Sequence, residues 1–386
     1  MKCFQRWGDE EIRVKQQPGL CFQDAFISTV DGNPKQMQKD ARHGCYIAIP
    51  TPIAFVPSMA TRQRYASILL SSFAGSDGLQ VLLNQCALVV ARVRQPDILH
   101  IVVGCGHDGK TLIFVDHLQA VFGSAFSCAP CGMLQSEREF QVQGANFIHA
   151  AFLTFDECKR DSGIMEDIVK VFVGGGWLPL RRNHEAETRY GHWACTGKVW
   201  AMNSGDIPRV PTAEEVSHQR RFRCTYMRST FTALEEEVDI PNKVFHADPG
   251  AKSFMSSGEA VWCFFQDFLF PHLRANGAQT CSDNLEYMRK GTSMHKDTHW
   301  LLRKMNRTTD CIHPDTAQGL EAQNERPGEA PAATLPERIV RETHASIHAQ
   351  FFSAASALVH PPICCPLVEQ CKFSSNSQTP GVQFFF

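Results

Sequence analysis

The sequence predicts an α/β fold with a parallel sheet, and three observations lead there. Short β-branched apolar runs such as Ile98 to Val103 stop at glycines, as expected of strands buried on both faces. Between such runs the apolar residues recur at three- and four-residue intervals, the period of an amphipathic helix. The alternation of the two patterns continues to about residue 205, which is the trace a parallel sheet with crossover helices leaves in a sequence.

Residues 1–60 place Pro18, Gly19, Gly32, Pro34, Pro50, Pro52 and Pro57 between short apolar pieces, so an irregular segment of small strands and turns is expected. Over 61–96, Ile68, Leu69 and Phe73, then Leu79, Leu82, Leu83, Leu88 and Val89, predict two amphipathic helices parted by a turn at Gly75 to Gly78, a helical lead-in. Residues 97–232 hold the strand and helix alternation itself. Residues 233–307 turn helical again, with Trp262, Phe264, Phe265, Phe268, Leu269 and Phe270 crowded between Glu259 and Leu273, and a basic segment over 285–307. Beyond Thr308 the periodic apolar positions thin out. Residues 308–386 are expected to be a low-complexity, disordered tail, because mixtures such as the Ala, Pro and Glu run from Glu321 to Pro336 bury too little surface to offset their ordering entropy.

Composition sets outer limits. Of 386 residues, 43% are apolar and 20% charged, and 38 Lys+Arg face 40 Asp+Glu, which excludes a globally basic nucleic-acid binder and leaves only local basic patches for that purpose. The long apolar stretch Val81 to Val93 is broken by Asn84, Gln85 and Arg92, short of the roughly 20 residues that span a bilayer, so no membrane association is expected. The first residues carry Lys2, Arg6, Asp9, Glu10, Glu11 and Arg13 without the apolar centre of a secretory signal. An intracellular location is expected, in nucleus, cytoplasm or a viral replication site. Most of the 16 cysteines, scattered over so long a chain, read as buried small hydrophobes. Cys128 and Cys131 form a C-x-x-C with no second pair at zinc-ribbon spacing and read as a turn.

The chemistry concentrates in Gly104-Cys105-Gly106-His107-Asp108-Gly109-Lys110-Thr111, which satisfies G-x-x-x-x-G-K-[ST] between a buried strand and an expected helix, Lys110 to Phe122. Gly104, Gly106 and Gly109 let backbone N–H groups turn inward around phosphate oxygens, with Asp108 inside the same loop. Lys110 would reach the β and γ phosphates of ATP, and the Thr111 hydroxyl would ligate Mg2+. A second strand, Ala150 to Phe155, ends in Asp156 and Glu157. Asp156 would hold the magnesium through water, and Glu157 would act as general base on the attacking water. A third strand, Gly197 to Met202, ends in Asn203, whose neutral amide could sense both the γ-phosphate and the lytic water.

The order GCGHDGKT, FLTFDE, VKVFVGGGWLPLRR, VWAMNSGDIPRVP and HQRRFRCTYMRSTF resembles superfamily 3 helicases, specifically the helicase half of the primase-helicases of large DNA viruses, phages and related plasmids, over roughly residues 65 to 275. The resemblance implies an AAA+-like P-loop NTPase core assembled as a ring, usually a hexamer, that moves on single-stranded DNA. It implies that Arg220 or Arg221 reaches the γ-phosphate bound by the neighbouring subunit. It also implies a hairpin facing the ring channel, with Arg181, Arg182 and His184 on DNA phosphates. About 95 residues precede the core and show no metal-binding acidic pattern, so unwinding without priming is expected, with a separate primase as a candidate partner. Two other readings stay open. One is a P-loop enzyme that transfers phosphate to a small molecule, which would need a substrate lid and no trans arginine. The other is a catalytically degenerate remnant that only binds ATP or partners.

Overall fold

A computed structural model of the chain describes residues 19–29, 34–37, 47–49, 51–155, 163–181, 189–191, 193, 196–210, 219–287 and 290–306. The expected tail, 308–386, lies outside the described residues. Near the N-terminus the short apolar pieces form β1 (Gly19–Cys21), β2 (Phe26–Ser28), β3 (Lys35–Met37) and β4 (Ile47–Ala48), joined as one small sheet in the order β3-β2-β1-β4. The lead-in forms α1 (Met59–Ser72) and α2 (Gly78–Val90). Ser58 starts α1 by accepting the Thr61 N–H at 3.2 Å, one of the N–H groups a helix start leaves without a partner.

The central sheet is wholly parallel. Its strands are β5 (Leu99–Gly104), β6 (Phe126–Ala129), β7 (Phe152–Phe155), β10 (Gly197–Asn203) and β11 (Phe222–Tyr226), in the order β11-β5-β10-β7-β6. Alternate residues of β5 face opposite layers, as strand periodicity requires. Val102 joins one apolar cluster with Ile113, Phe114, Phe152, α1, α2 and the C-terminal helices. Leu99, Ile101 and Val103 join the other, with Phe155, Phe172, Trp200, Trp300 and Leu301. Both faces are thereby covered, which is why the β5 sequence reads as an unbroken apolar run.

After β5 the helix expected over Lys110 to Phe122 runs through a π-turn (Leu112–His117) into α3 (Leu118–Phe122). The helices α4 (Glu137–Phe147) and α5 (Glu166–Val173) pack on the second face. Then β8 (Leu178–Leu180) pairs antiparallel with β9 (Arg189–Gly191). Two further strands, β12 (Thr230–Thr232) and β13 (Val244–His246), pair parallel beyond β11. The aromatic stretch forms α6 (Ala251–Met255), α7 (Gly258–Cys263), a π-turn (Phe264–Leu269) and α8 (Phe270–Glu286), the last broken by the left-handed Gly277 (φ 68°). The basic segment supplies α9 (Ser293–Asn306).

The N-terminal pieces share their core with these distant helices. The Phe22 and Phe265 rings meet edge-on with centroids 5.5 Å apart, and Trp262 Nε1 donates to the Ile53 carbonyl at 3.1 Å. No helix among the described residues is long and apolar enough to cross a membrane. The C-x-x-C differs from the turn expected of it: Cys128 lies in edge strand β6, and only Cys131 opens the 3-10 turn that follows. The described residues contain no group of three or more His, Cys, Asp or Glu suited to a metal ion.

Candidate nucleotide site

Parallel strands gather ligand-binding loops at their carboxyl edge, and here β5 and β10 end side by side. Gly104 stands opposite Asn203 in the register, and the Ser204 N–H donates to the Gly104 carbonyl at 2.9 Å. From Gly104 the chain doubles back through three residues in the left-handed region: Gly106 (φ 100°), His107 (φ 52°) and Gly109 (φ 81°). Glycine takes such angles without a Cβ penalty. His107 does not, and its carbonyl is fixed from outside by the Phe231 N–H of β12 at 2.8 Å.

The loop closes around one carboxylate. Asp108 Oδ2 accepts from Lys110 Nζ at 2.5 Å and from the Gly106 N–H at 3.3 Å, while Oδ1 accepts the Lys110 N–H at 3.2 Å. Asp108 and Lys110 are only 3% and 5% exposed, so this pair is shielded from solvent. A Cβ on Gly104 would stand 1.7 Å from Asp108 Oδ2, hence only glycine fits beneath the carboxylate. Lys110 Nζ also donates to Asn203 Oδ1 at 3.2 Å. Two backbone N–H groups and an ammonium thus converge on a single anion, the donor set that a phosphate oxygen requires. Thr111, with helical angles, is exposed at the start of the following helix.

The loop is braced from β11 as well. The Cys105 Sγ and the Tyr226 hydroxyl lie 2.7 Å apart, and burial together with this contact pushes the Tyr226 phenol well above its ordinary range. The Tyr226 N–H donates to Asp297 Oδ2 of α9 at 2.8 Å, and Arg228 pairs with the same carboxylate at 2.7 Å in a buried ion pair.

The strand β7 neighbours β10 and not β5, so the strand bearing Asn203 runs between β5 and the strand that leads toward Asp156 and Glu157 in the sequence. Asp156 and Glu157 themselves lie outside the described residues, as do Arg182 and His184. Arg181 is exposed just after β8, and its N–H donates to the Gln141 carbonyl of α4 at 3.0 Å.

Arg220 and Arg221 lie at the other end of the sheet. Phe222 pairs with Leu99 at the amino edge of β5, and the Leu99 N–H donates to the Arg221 carbonyl at 2.7 Å. At about 3.3 Å per strand residue, that edge is roughly 17 Å from Gly104. The structure therefore brings together Gly104, Gly106, Asp108, Gly109, Lys110 and Asn203, and keeps both arginines away from the loop of their own chain. Arg220 is exposed. Arg221 is half-buried, and desolvation, then the neighbouring Arg220 charge, lowers its guanidinium from the ordinary value.

Sequence reasoning missed Arg223, two residues on. It is 4% exposed. Its Nη1 donates to the carbonyls of Gln219, Arg220 and Phe222 at 3.0, 3.1 and 2.9 Å, its Nε to Leu285 at 3.3 Å and its Nη2 to Glu286 at 2.7 Å. The available signal was a charge inside an otherwise buried strand, Phe222-Arg223-Cys224-Thr225-Tyr226.

No protein-family model and no curated protein matches the sequence. Among solved structures, the chain is similar to the apo NrS-1 C terminal region at 11% identity and a TM-score of 0.43, covering 81% of this chain and 76% of that one. It is similar to an A form apo structure of the NrS-1 C terminal region at 12% identity and a TM-score of 0.39, over 73% and 75% of the two chains. It is similar to the JCV Helicase at 11% identity and a TM-score of 0.34, over 64% and 65%.

Proposed function

We propose that the chain is an ATP-dependent DNA helicase of the superfamily 3 type, which couples ATP hydrolysis to movement on single-stranded DNA and duplex unwinding in replication. The observation that carries the reading is the contact of Lys110 with both Asp108 and Asn203, on strands ordered so that the Asn203 strand lies between the phosphate loop and the acid strand. A sensor amide belongs there, between a γ-phosphate held by the loop and a water polarised by the acids.

In this reading the Asp108 carboxylate yields its donors to the phosphates, and Lys110 meets the β and γ phosphates. The loop fits such a ligand because its donors already surround an anion. Thr111 and Asp156 would hold magnesium, whose charge offsets that of the phosphates. Glu157 takes the proton of the attacking water, while the Asn203 amide orients that water. Distance from the loop of its own chain suits Arg220 or Arg221 to a site on a neighbouring subunit, in an AAA+-like ring that is hexameric in this reading. Arg181, Arg182 and His184 would track single-stranded DNA through its phosphates.

The test is ATP turnover by the purified chain with and without single-stranded DNA, together with unwinding of a forked duplex. DNA-stimulated turnover and strand separation are expected. Turnover indifferent to DNA would replace this reading with phosphate transfer to a small molecule, and absence of turnover with a nucleotide-binding remnant.

A further inference from the structure

We infer that Arg223 is the positioning residue for the arginine that acts on the neighbouring subunit, linking the turn that bears Arg220 and Arg221 to the end of α8. The inference rests on the trans-arginine reading above. Its basis is the distribution of one guanidinium's donors. The Nη1 group holds the carbonyls of Gln219 and Arg220 in the turn and of Phe222 at the start of β11. The Nε and Nη2 groups hold the carbonyls of Leu285 and Glu286, which belong to the last turn of α8. Those carbonyls have no partner further along the helix, and a cation is favoured at that end. Arg223 satisfies them and fixes the arginine turn with the same planar group.

The consequence is mechanical. Because the guanidinium is rigid and its bonds go in two directions, displacement of the α8 end has to move the carbonyl of Arg220 or break hydrogen bonds buried in the sheet. Arg223 itself is too buried to serve as the trans cation. A lysine there would keep the charge but end in one nitrogen, too compact to span both sets of carbonyls.

The test mixes two chains. The first carries Lys110→Ala and supplies arginines, and the second carries Arg220→Ala with Arg221→Ala and supplies a working phosphate loop. The mixture is expected to hydrolyse ATP where neither chain does alone. Arg223→Lys added to the first chain should cut the recovered turnover at least about tenfold, with the ATP KM unchanged, because a misplaced arginine weakens the transition state and not nucleotide binding. The same change in the second chain should add no further loss, since its arginines are already gone. Arg223→Gln is run in the same two placements. Equal losses in both placements, or none in either, overturn the inference. Binding of a fluorescent ATP analogue to the second chain reports an intact loop, and its loss with both Arg223 variants would mean that Arg223 serves the fold instead. No recovery in the starting mixture would remove the trans-arginine reading itself, a failure distinct from the others.

Discussion

At the carboxyl edge of the central sheet Lys110 meets a carboxylate and an amide, whereas at the amino edge Arg223 meets backbone carbonyls. Both cations are buried. The carboxylate of Asp108 carries the same sign of charge as a phosphate and hangs on a side chain, so a ligand can take over its donors. Carbonyl oxygens of a turn and a helix end are part of the backbone, so they cannot swing away from the guanidinium as a side chain can. In the proposed reading one edge exchanges an anion, and the other holds still while that happens.

The largest expected effect breaks the first edge. Lys110→Ala should abolish ATP turnover in a phosphate-release assay and weaken ATP binding, because in the proposed reading it removes the cation that meets the β and γ phosphates. Turnover equal to the unmodified chain would sink the nucleotide site. At the second edge, Arg220→Ala should lower kcat by about 10³ while ATP affinity stays nearly constant, as expected of a charge felt only by a neighbour's transition state. Arg221→Ala should cost about tenfold or less, since its guanidinium is already half-buried at the sheet edge. Equal losses from the two would erase the distinction drawn from exposure.

Asp108→Ala sharpens the contrast. Without nucleotide the variant should unfold more easily, by about 3–5 kcal/mol, because a buried ammonium keeps the Asn203 amide but loses its paired anion. With saturating ATP about 1.4 kcal/mol of that loss should return, because the ATP Kd should fall about tenfold when no carboxylate has to be displaced. Thermal midpoints with and without ATP measure both. A Kd that rises would mean that Asp108 assists the bound nucleotide.

A further effect concerns the strand between the edges and the π-turn beside it. Burial lowers the His100 imidazole to about 3, and that of His117, at the π-turn, to about 4. Unfolding frees both to take up protons near their ordinary value of 6.5, so their contribution to stability is whole above that pH and is lost as the pH falls toward the folded values. Urea midpoints should drop between about pH 7.5 and about pH 5, on the order of 2 kcal/mol per imidazole. A profile unchanged in His100→Gln would assign the drop elsewhere.

Much of this was legible in the residues. Ile98 to Val103 is apolar throughout because β5 is covered on both faces, and the octapeptide Gly104 to Thr111 names its own glycines and lysine. The strand β6 was hidden because Phe126-Ser127-Cys128-Ala129 is short, lies at the sheet edge and mixes apolar with polar positions. At three residues each, β12 and β13 are too short to show a period. The anion inside the loop was invisible for another reason: the pattern leaves the Asp108 position open, and only the fold reveals that its carboxylate turns back on Lys110. Arg223 was hidden because its partners are carbonyls, which every residue has.

The N-terminal sheet has a consequence during synthesis. Ile53 accepts its hydrogen bond from Trp262, 209 positions later, and Phe22 packs on Phe265. At roughly 5–20 residues per second, about 10–40 s separate the appearance of the two halves of that contact. Through that interval Leu20, Phe22, Ile27 and Ile47 have no finished core to enter. The strands β1 to β4 are thus among the last to be sealed, and a ribosome stalled before Trp262 holds a nascent chain whose early apolar surface is open to chaperones.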